Sequence, residues 1–325
     1  MRALHAAPIL LAVTTVAAAQ APASPERRVT AAAIPGVIAE GTPVERVWTG
    51  MRSADGIAGA ADGSLLFTEQ DASRVSRLKA DGSVELFVED TWNAGALGID
   101  AKGRVIAVER RGQGTPDPQG RVAVYTSSDR SVLASGFEGR PFQALRDLVV
   151  DRRGGVYITD GQPAPARSVI YYIDPAGRIT KASDAVGAAN GVLLSPDEKT
   201  MYVTDTPSGS LVAFDVPADG TITNMRPFGR LEGGDRRGAD GLAIDADGRV
   251  YAATPVGVQV FSPGGQHLGT IPTPRPATSV AFAGAGKAFL YIVGRGNDGP
   301  EGASQWARSM YRVPMVARGF AGRAK

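Results

Sequence analysis

The sequence predicts an all-β protein: a six-bladed β-propeller of four-stranded antiparallel blades, its ring closed by an N-terminal strand. Three observations lead there. Glycine and proline number 41 and 22 among 325 residues and are spread along the chain, so tight turns recur throughout. Six segments share one pattern, an apolar run, a D-x-x-G-like turn and a second apolar run, at intervals of about 40 to 50 residues. No apolar periodicity of 3.6 residues competes over any length.

Taken in order, the chain opens with a targeting segment. Arg2 supplies a positive region, residues 8–19 an apolar run too short to span a bilayer, and Ala17 to Ala21 small-x-small cleavage positions. Residues 1–21 are read as a signal peptide for the periplasm or the exterior, 22–40 as an Ala/Pro/Glu/Arg-rich linker, and 41–325 as the propeller. The first hairpin of each repeat lies at 59–67, 99–106, 150–157, 194–202, 244–251 and 282–290. Their Asp/Gly turns supply the positive φ that tight hairpins require. Second hairpins follow at 75–87, 170–180 and 211–223, around Asp81-Gly82, Pro175-Ala176-Gly177 and Asp219-Gly220. Two hairpins per repeat make a four-stranded blade. The last repeat ends after one strand pair near 309–313, and the leading strand at 44–48 is expected to complete it, removing an open edge.

Composition narrows the chemistry. With 35 basic and 33 acidic residues, the net charge of +2 gives no reason to expect nucleic acid or membrane insertion. The absence of cysteine removes disulfides, thiolate metal sites and a cysteine nucleophile. Only two histidines exist: His5 in the targeting segment and His267 in a Gly-rich turn. Chemistry must rest on Asp, Glu, Asn, Arg, Lys, Tyr or hydroxyl groups, with any metal preferring oxygen. Gly294-x-Gly296-x-x-Gly299 fits a dinucleotide fingerprint but has no βαβ unit around it, and Asp245-x-Asp247-Gly248 is a hairpin turn, not a calcium loop.

The residues just before each innermost strand converge on the central channel and differ between blades. They are Asp55-Gly56, Gly95-Ala96, Arg146-Asp147, Asn190-Gly191, Asp240-Gly241 and Thr278-Ser279. Asp55, Asn190 and Asp240 hold equivalent places in blades one, four and five. Two carboxylates and an amide carbonyl suit a hard cation such as Ca²⁺ or Mg²⁺. The same pairs are also ordinary turn formers, so both readings stand at this level.

The run from Asn190 to Asp205 resembles the N-G-[LIV]-x-x-S-P-D-x-x-x-x-Y-V-x-[DN] stretch of the regucalcin/gluconolactonase family. Residues 240–251 resemble its D-G-x-x-x-D-x-x-G-x-[LIV]-[YW] motif, and Asp147 to Asp151 followed by Tyr157-Ile158-Thr159-Asp160 is a third match. The similarity spans 44–314, with parts shared by organophosphate-hydrolysing and strictosidine synthase-like propellers. Together with the targeting segment, which implies export, it implies a hydrolase of sugar lactones or related cyclic esters with one divalent cation, Ca²⁺ first and Mg²⁺ or Zn²⁺ as alternatives. It places the metal ligands on Asp55, Asn190 and Asp240 and the general base on Asp240, with Asp147 as second candidate. Arg146 is expected to anchor an anionic lactone, and Glu109, Arg110 and Asp160 are further candidates for the pocket wall. The chain departs from the family in having Asp55 for Glu, Arg146 for Asn, and Gly95-Ala96 where relatives have Asn-Gly. A monomer acting on a small molecule is expected; the alternative is a non-catalytic ligand- or protein-binding propeller with a degenerate metal site.

Overall fold

The structure, a computed structural model, describes residues 29–50, 53–111, 119–126, 129–161, 166–206, 208–233, 238–296 and 308–322. The segment read as a signal peptide lies outside them. Six four-stranded antiparallel sheets follow one another along the chain, five of them running in sequence order from the innermost strand outward and the sixth taking its outer strand from the beginning of the chain.

Blade one comprises Ala54–Gly59, Leu65–Glu69, Arg74–Leu78 and Val84–Val88, and blade two Ala94–Ile99, Val105–Arg111, Gln119–Tyr125 and Arg130–Ala134. Blade three comprises Ala144–Val150, Val156–Gly161, Val169–Ile173 and Ile179–Ser183, and blade four Ala189–Leu194, Thr200–Asp205, Ser210–Asp215 and Thr223–Arg230. Blade five is Leu242–Ile244, Val250–Thr254, Gly257–Phe261 and His267–Ile271. Blade six takes Ala277–Ala283, Phe289–Arg295 and Arg308–Pro314 from the end of the chain and Glu45–Gly50 from its beginning. Met310 pairs with Trp48 and Tyr311 with Arg46, so the N-terminal strand closes the ring as expected. His267 opens the outer strand of blade five, half-buried, rather than standing at a turn tip.

The D-x-x-G turns form for a local reason. Asp100 accepts hydrogen bonds from the N–H groups of Lys102 and Arg104, Asp151 from Arg153 and Gly155, and Asp245 from Asp247 and Arg249, all at 2.8–3.0 Å. Each carboxylate thereby substitutes for the backbone acceptor that a reversing chain lacks.

Burial falls from the channel outward. The inner strand of blade six is buried at every position, whereas the outer strand of blade four is mostly exposed. Adjacent blades meet through aromatic side chains such as Tyr251 and Phe282, edge to face at 5.0 Å.

The segment expected as a linker is packed over the part described here. Thr30–Ala31 pairs with Thr42–Pro43, and Ile34, Val37 and Ile38 are buried in the core of blades five and six. The Val37 carbonyl accepts hydrogen bonds from the N–H groups of Val316 and Ala317. The same tail bonds to Ile244, Ala246 and Lys287 across the hairpin-turn ends of blades five and six. An Ala/Pro-rich composition suggested a spacer, but three aliphatic side chains within it suffice to dock it.

Candidate functional site

The opposite end of the channel is shaped by one repeated irregularity. In blades one to four the pairing of the two inner strands slips between Ala54 and Ile57, Ala94 and Leu97, Leu145 and Leu148, and Ala189 and Val192. Blade six slips between Ala277 and Ser279. Each slip is a β-bulge, which redirects side chains out of the pleat. In blades one to four the bulged residues are the pairs singled out from sequence, and in blade six the bulged residue is Thr278; Asp240-Gly241 of blade five stands just before its inner strand. In three blades a threonine of the second strand supports the bulge: Thr68 accepts from Gly56 N–H, Thr159 from Asp147 N–H and Thr204 from Gly191 N–H, at 2.8–3.0 Å. The corresponding segments of neighbouring blades pack closely. A Cβ on Gly191 would stand 2.1 Å from the Asp240 carbonyl, so only glycine lets blades four and five meet there.

A cavity at this end is lined by Asp55, Arg110, Arg146, Asp147, Asp240 and Ser279, among others. It leaves only ≈ 20 Å³ for the centre of a water-sized particle, room for a water or an ion but not a sugar lactone. Larger grooves of ≈ 450 and ≈ 460 Å³ lie at the hairpin-turn end, beside Asp151 and Asp100 respectively, far from the bulges.

Asp240 is the distinctive group of the cavity. Its carboxylate receives no hydrogen bond from the described residues. Burial raises its pKa, with Asp55 and Asp147 adding to the rise and Arg110 and Arg295 opposing it, to about 7. Asp147 is different: its two oxygens accept from Leu148 N–H at 2.8 Å and Val192 N–H at 3.0 Å. Asp55 is bound by Arg110 at 2.5 Å and by Gln70 at 3.1 Å. Asn190 is half-buried on the adjacent bulge, and its side-chain amide makes no hydrogen bond among the described residues.

Arginines ring the carboxylates. The Arg146 side chain is exposed and makes no ion pair or hydrogen bond among the described residues. Sequence reasoning missed Arg295 and Arg308, which pair across blade six. Burial lowers the pKa of Arg308, helped by Arg295, while Asp55, Asp240 and Asp71 draw it back up.

Glu109 and Asp160 stand apart from the cavity. Glu109 is fully buried and accepts hydrogen bonds from Tyr125 and Arg121 and, at 2.8 Å, from Arg130. Burial raises its pKa, opposed by the Tyr125 and Arg130 bonds. Asp160 accepts from the N–H groups of Gln143 and Ala144 at the start of its blade. Both follow the support position by one residue, as do Glu69 and Asp205, and alternation along a strand turns them away from the channel. The recurring acid after Thr68, Val108, Thr159 and Thr204 is the sequence signal that marks them as blade structure.

Do these residues suit a divalent cation? The donors are hard oxygens, and Asp240 is a desolvated carboxylate with the Asp55 and Asp147 charges beside it and Arg110 and Arg295 opposing them. The chemistry of the set therefore fits. Among the described residues no three acidic or imidazole groups form a metal cage, so the Asn190 amide is needed as a donor.

The model of the family described as "SMP-30/Gluconolactonase/LRE-like region" matches residues 54–295. The chain belongs to this family. Among its relatives, the gluconolactonase of Zymomonas mobilis is 26% identical over 263 residues, 71% of this chain and 72% of that protein. Lactonase drp35 of Staphylococcus saprophyticus is 31% identical over 189 residues, 54% of this chain and 56% of its own length. In three dimensions this SMP-30/gluconolactonase-like chain is similar to a gluconolactonase from Xanthomonas campestris, with TM-score 0.72, 24% identity and coverage of 90% and 98% of the two chains. It is also similar to regucalcin from Agrobacterium tumefaciens, described as a calcium-binding protein, with TM-score 0.67, 18% identity and coverage of 86% and 95%. Identities this low speak for the fold alone.

Proposed function

We propose that this protein is a lactone hydrolase that uses Asp240 as general base and takes one divalent cation at the bulge end of its channel. The observation that carries the reading is the Asp240 carboxylate, buried among arginines with no hydrogen bond from the described residues, in a family whose relatives include a gluconolactonase and a lactonase. Asp55, Asn190 and Asp240 would hold the cation, which when bound supplies Lewis-acid polarisation of the lactone carbonyl.

The chain's own groups carry the proton transfers. Burial and the neighbouring Asp55 and Asp147 carboxylates raise the proton affinity of Asp240 in the metal-free chain, which suits a group that takes a proton. Asp240 takes a proton from water as the water oxygen bonds to the carbonyl carbon. The ester C–O bond then breaks, and the proton passes to the departing alkoxide to give the hydroxy acid. The Arg146 and Arg295 guanidiniums stabilise the oxyanion or bind a carboxylate carried by the substrate. The small cavity requires Arg110 or Arg146 to move before a lactone enters. That closed geometry favours the second reading, a non-catalytic binding propeller. We further propose that residues 1–21 direct export to the periplasm or exterior, and that the protein acts as a monomer.

The deciding experiment is pH-stat hydrolysis of neutral and acidic lactones by the parent and Asp240→Asn, with Ca²⁺, Mg²⁺ or Zn²⁺ supplied. Turnover by the parent, lost in the variant, is expected. Binding of lactones without turnover under all three metals would sink the hydrolase reading in favour of the binding propeller.

A further inference from the structure

Arg110 lies on the second strand of blade two, beside Glu109, yet its side chain serves the channel. Its Nη1 donates to Asp55 Oδ2 in blade one at 2.5 Å, and its Nη2 donates to the Arg146 carbonyl in blade three. One guanidinium thus joins three blades. The side chain is only 13% exposed, and its Nε is buried without a partner.

Gly95 explains how Arg110 reaches that position. A Cβ there would stand 2.1 Å from the Arg110 Cζ, 2.4 Å from Nε and 2.5 Å from Nη1. The backbone at Gly95 does not have the positive φ that would otherwise call for glycine. Its role is clearance: the guanidinium fills the space a side chain would occupy.

We propose that Arg110 is a tethered counter-cation that competes with a divalent metal ion for Asp55, and that Gly95 is the gap that lets it dock. The inference rests on the reading that the channel accepts such an ion on Asp55, Asn190 and Asp240. A carboxylate oxygen already held by a guanidinium must give up that bond to ligate metal, and the two like charges repel at such range. Metal affinity is therefore the gain from the new Asp55 bond less the loss of the old one. Displacing Arg110 also vacates the volume beside Gly95, in a cavity that otherwise leaves room for one water-sized particle.

Two variants separate charge from position. Arg110→Met removes the cation but keeps an aliphatic stem. Gly95→Ala keeps the cation and pushes the flexible end of Arg110 off Asp55. Isothermal titration of the chelated full chain with CaCl₂ is expected to show calcium bound at least about tenfold more tightly by both variants than by the parent, ~1.4 kcal/mol. Calcium should likewise raise the Tm of both variants more than that of the parent. Equal or weaker affinity in the variants, with all three proteins binding, would overturn the competition and leave the cation site standing. Absence of binding by all three to calcium, magnesium and zinc would overturn the cation site itself, and the competition with it.

Discussion

Asp147 and Val192 join blades three and four across the channel wall: the carboxylate Oδ2 accepts the Val192 N–H at 3.0 Å, while Oδ1 accepts the Leu148 N–H at 2.8 Å. The acceptors are buried, and both N–H groups point at carboxylate oxygens. Asp147→Asn leaves one carboxylate oxygen's place to an NH₂ that cannot accept. We expect a loss of about 1–3 kcal/mol of stability, the usual worth of a buried hydrogen bond to a charged acceptor. Denaturant unfolding checks this. Unchanged stability with abolished turnover would instead make Asp147 the base.

Asp240 should show the opposite pattern. Its pKa in the folded chain, about 7, lies above its ordinary value of 3.8. The folded state therefore binds more protons than the unfolded state between those two values, and stability falls as pH rises through that window. In chelator, the Tm of the parent should decline relative to Asp240→Asn from about pH 4 to about pH 7 and run parallel above it. Turnover of the variant should drop ~10²–10⁴-fold, the usual contribution of a general base. A parent-to-variant Tm difference that is flat with pH would remove the argument that this carboxylate is electrostatically strained.

How much of this was legible beforehand depends on whether the cause is local. The Asx bonds of Asp100, Asp151 and Asp245 span two to four residues, so the hairpin turns, and with them the six blades, could be read directly. Blade equivalence also brought Asp55, Arg146, Asp147 and Asp240 together at the cavity. What escaped was long-range. Arg110 meets Asp55 from 55 positions away, and the clearance comes from Gly95 on a third segment. Glu109 and Asp160 were misleading because chemistry-bearing side chains were counted without asking which face of the strand they occupy. The packed segment at 29–40 escaped because composition averages away Ile34, Val37 and Ile38.

Glu109 is expected to behave as a structural residue. It is the one carboxylate between Arg121, Arg130 and the Tyr125 hydroxyl, and Arg121 lies 3.2 Å above the Trp92 ring. Glu109→Leu strands two guanidiniums against a buried apolar group, and we expect a loss of about 3–5 kcal/mol. KM of the folded fraction should stay within about twofold, because no group of the network faces the cavity. A large KM change at near-parent Tm would return Glu109 to the binding site.

The N-terminal segment should contribute to the stability of the ring. Val37 is fully buried and its carbonyl accepts two tail N–H groups, while Ile34 packs against the outer edge of blade five. Ile34→Ala should cost about 2–4 kcal/mol, the usual range for emptying a buried aliphatic site. Val37→Ala removes less volume and should cost less. Thermal unfolding distinguishes this from a spacer, for which both substitutions would leave Tm unchanged.

Arg146 offers the sharpest test of substrate charge. The residue stands in a bulge whose geometry is fixed by Thr159 and by the Asp147 bonds, so its backbone is held while its guanidinium remains exposed and unpaired among the described residues. The acids of its own inner strand pair are committed: Asp147 to Leu148 and Val192, Asp160 to Gln143 and Ala144. An exposed guanidinium beside a carboxylate base has two uses, to hold an anionic group on the substrate or to stabilise developing negative charge on any lactone. The uses separate by substrate. If Arg146 binds a substrate carboxylate, Arg146→Asn should raise KM for acidic lactones by about tenfold or more, the worth of a charge-assisted hydrogen bond, and leave neutral lactones nearly unchanged. The acidic-substrate effect should shrink with added salt, because the Arg146 guanidinium is exposed to solvent. If instead it stabilises the oxyanion, kcat should fall alike for both classes with KM little altered. Equal, small changes in both would leave Arg146 as a surface residue whose carbonyl, bound by Arg110, is its only contribution to the site.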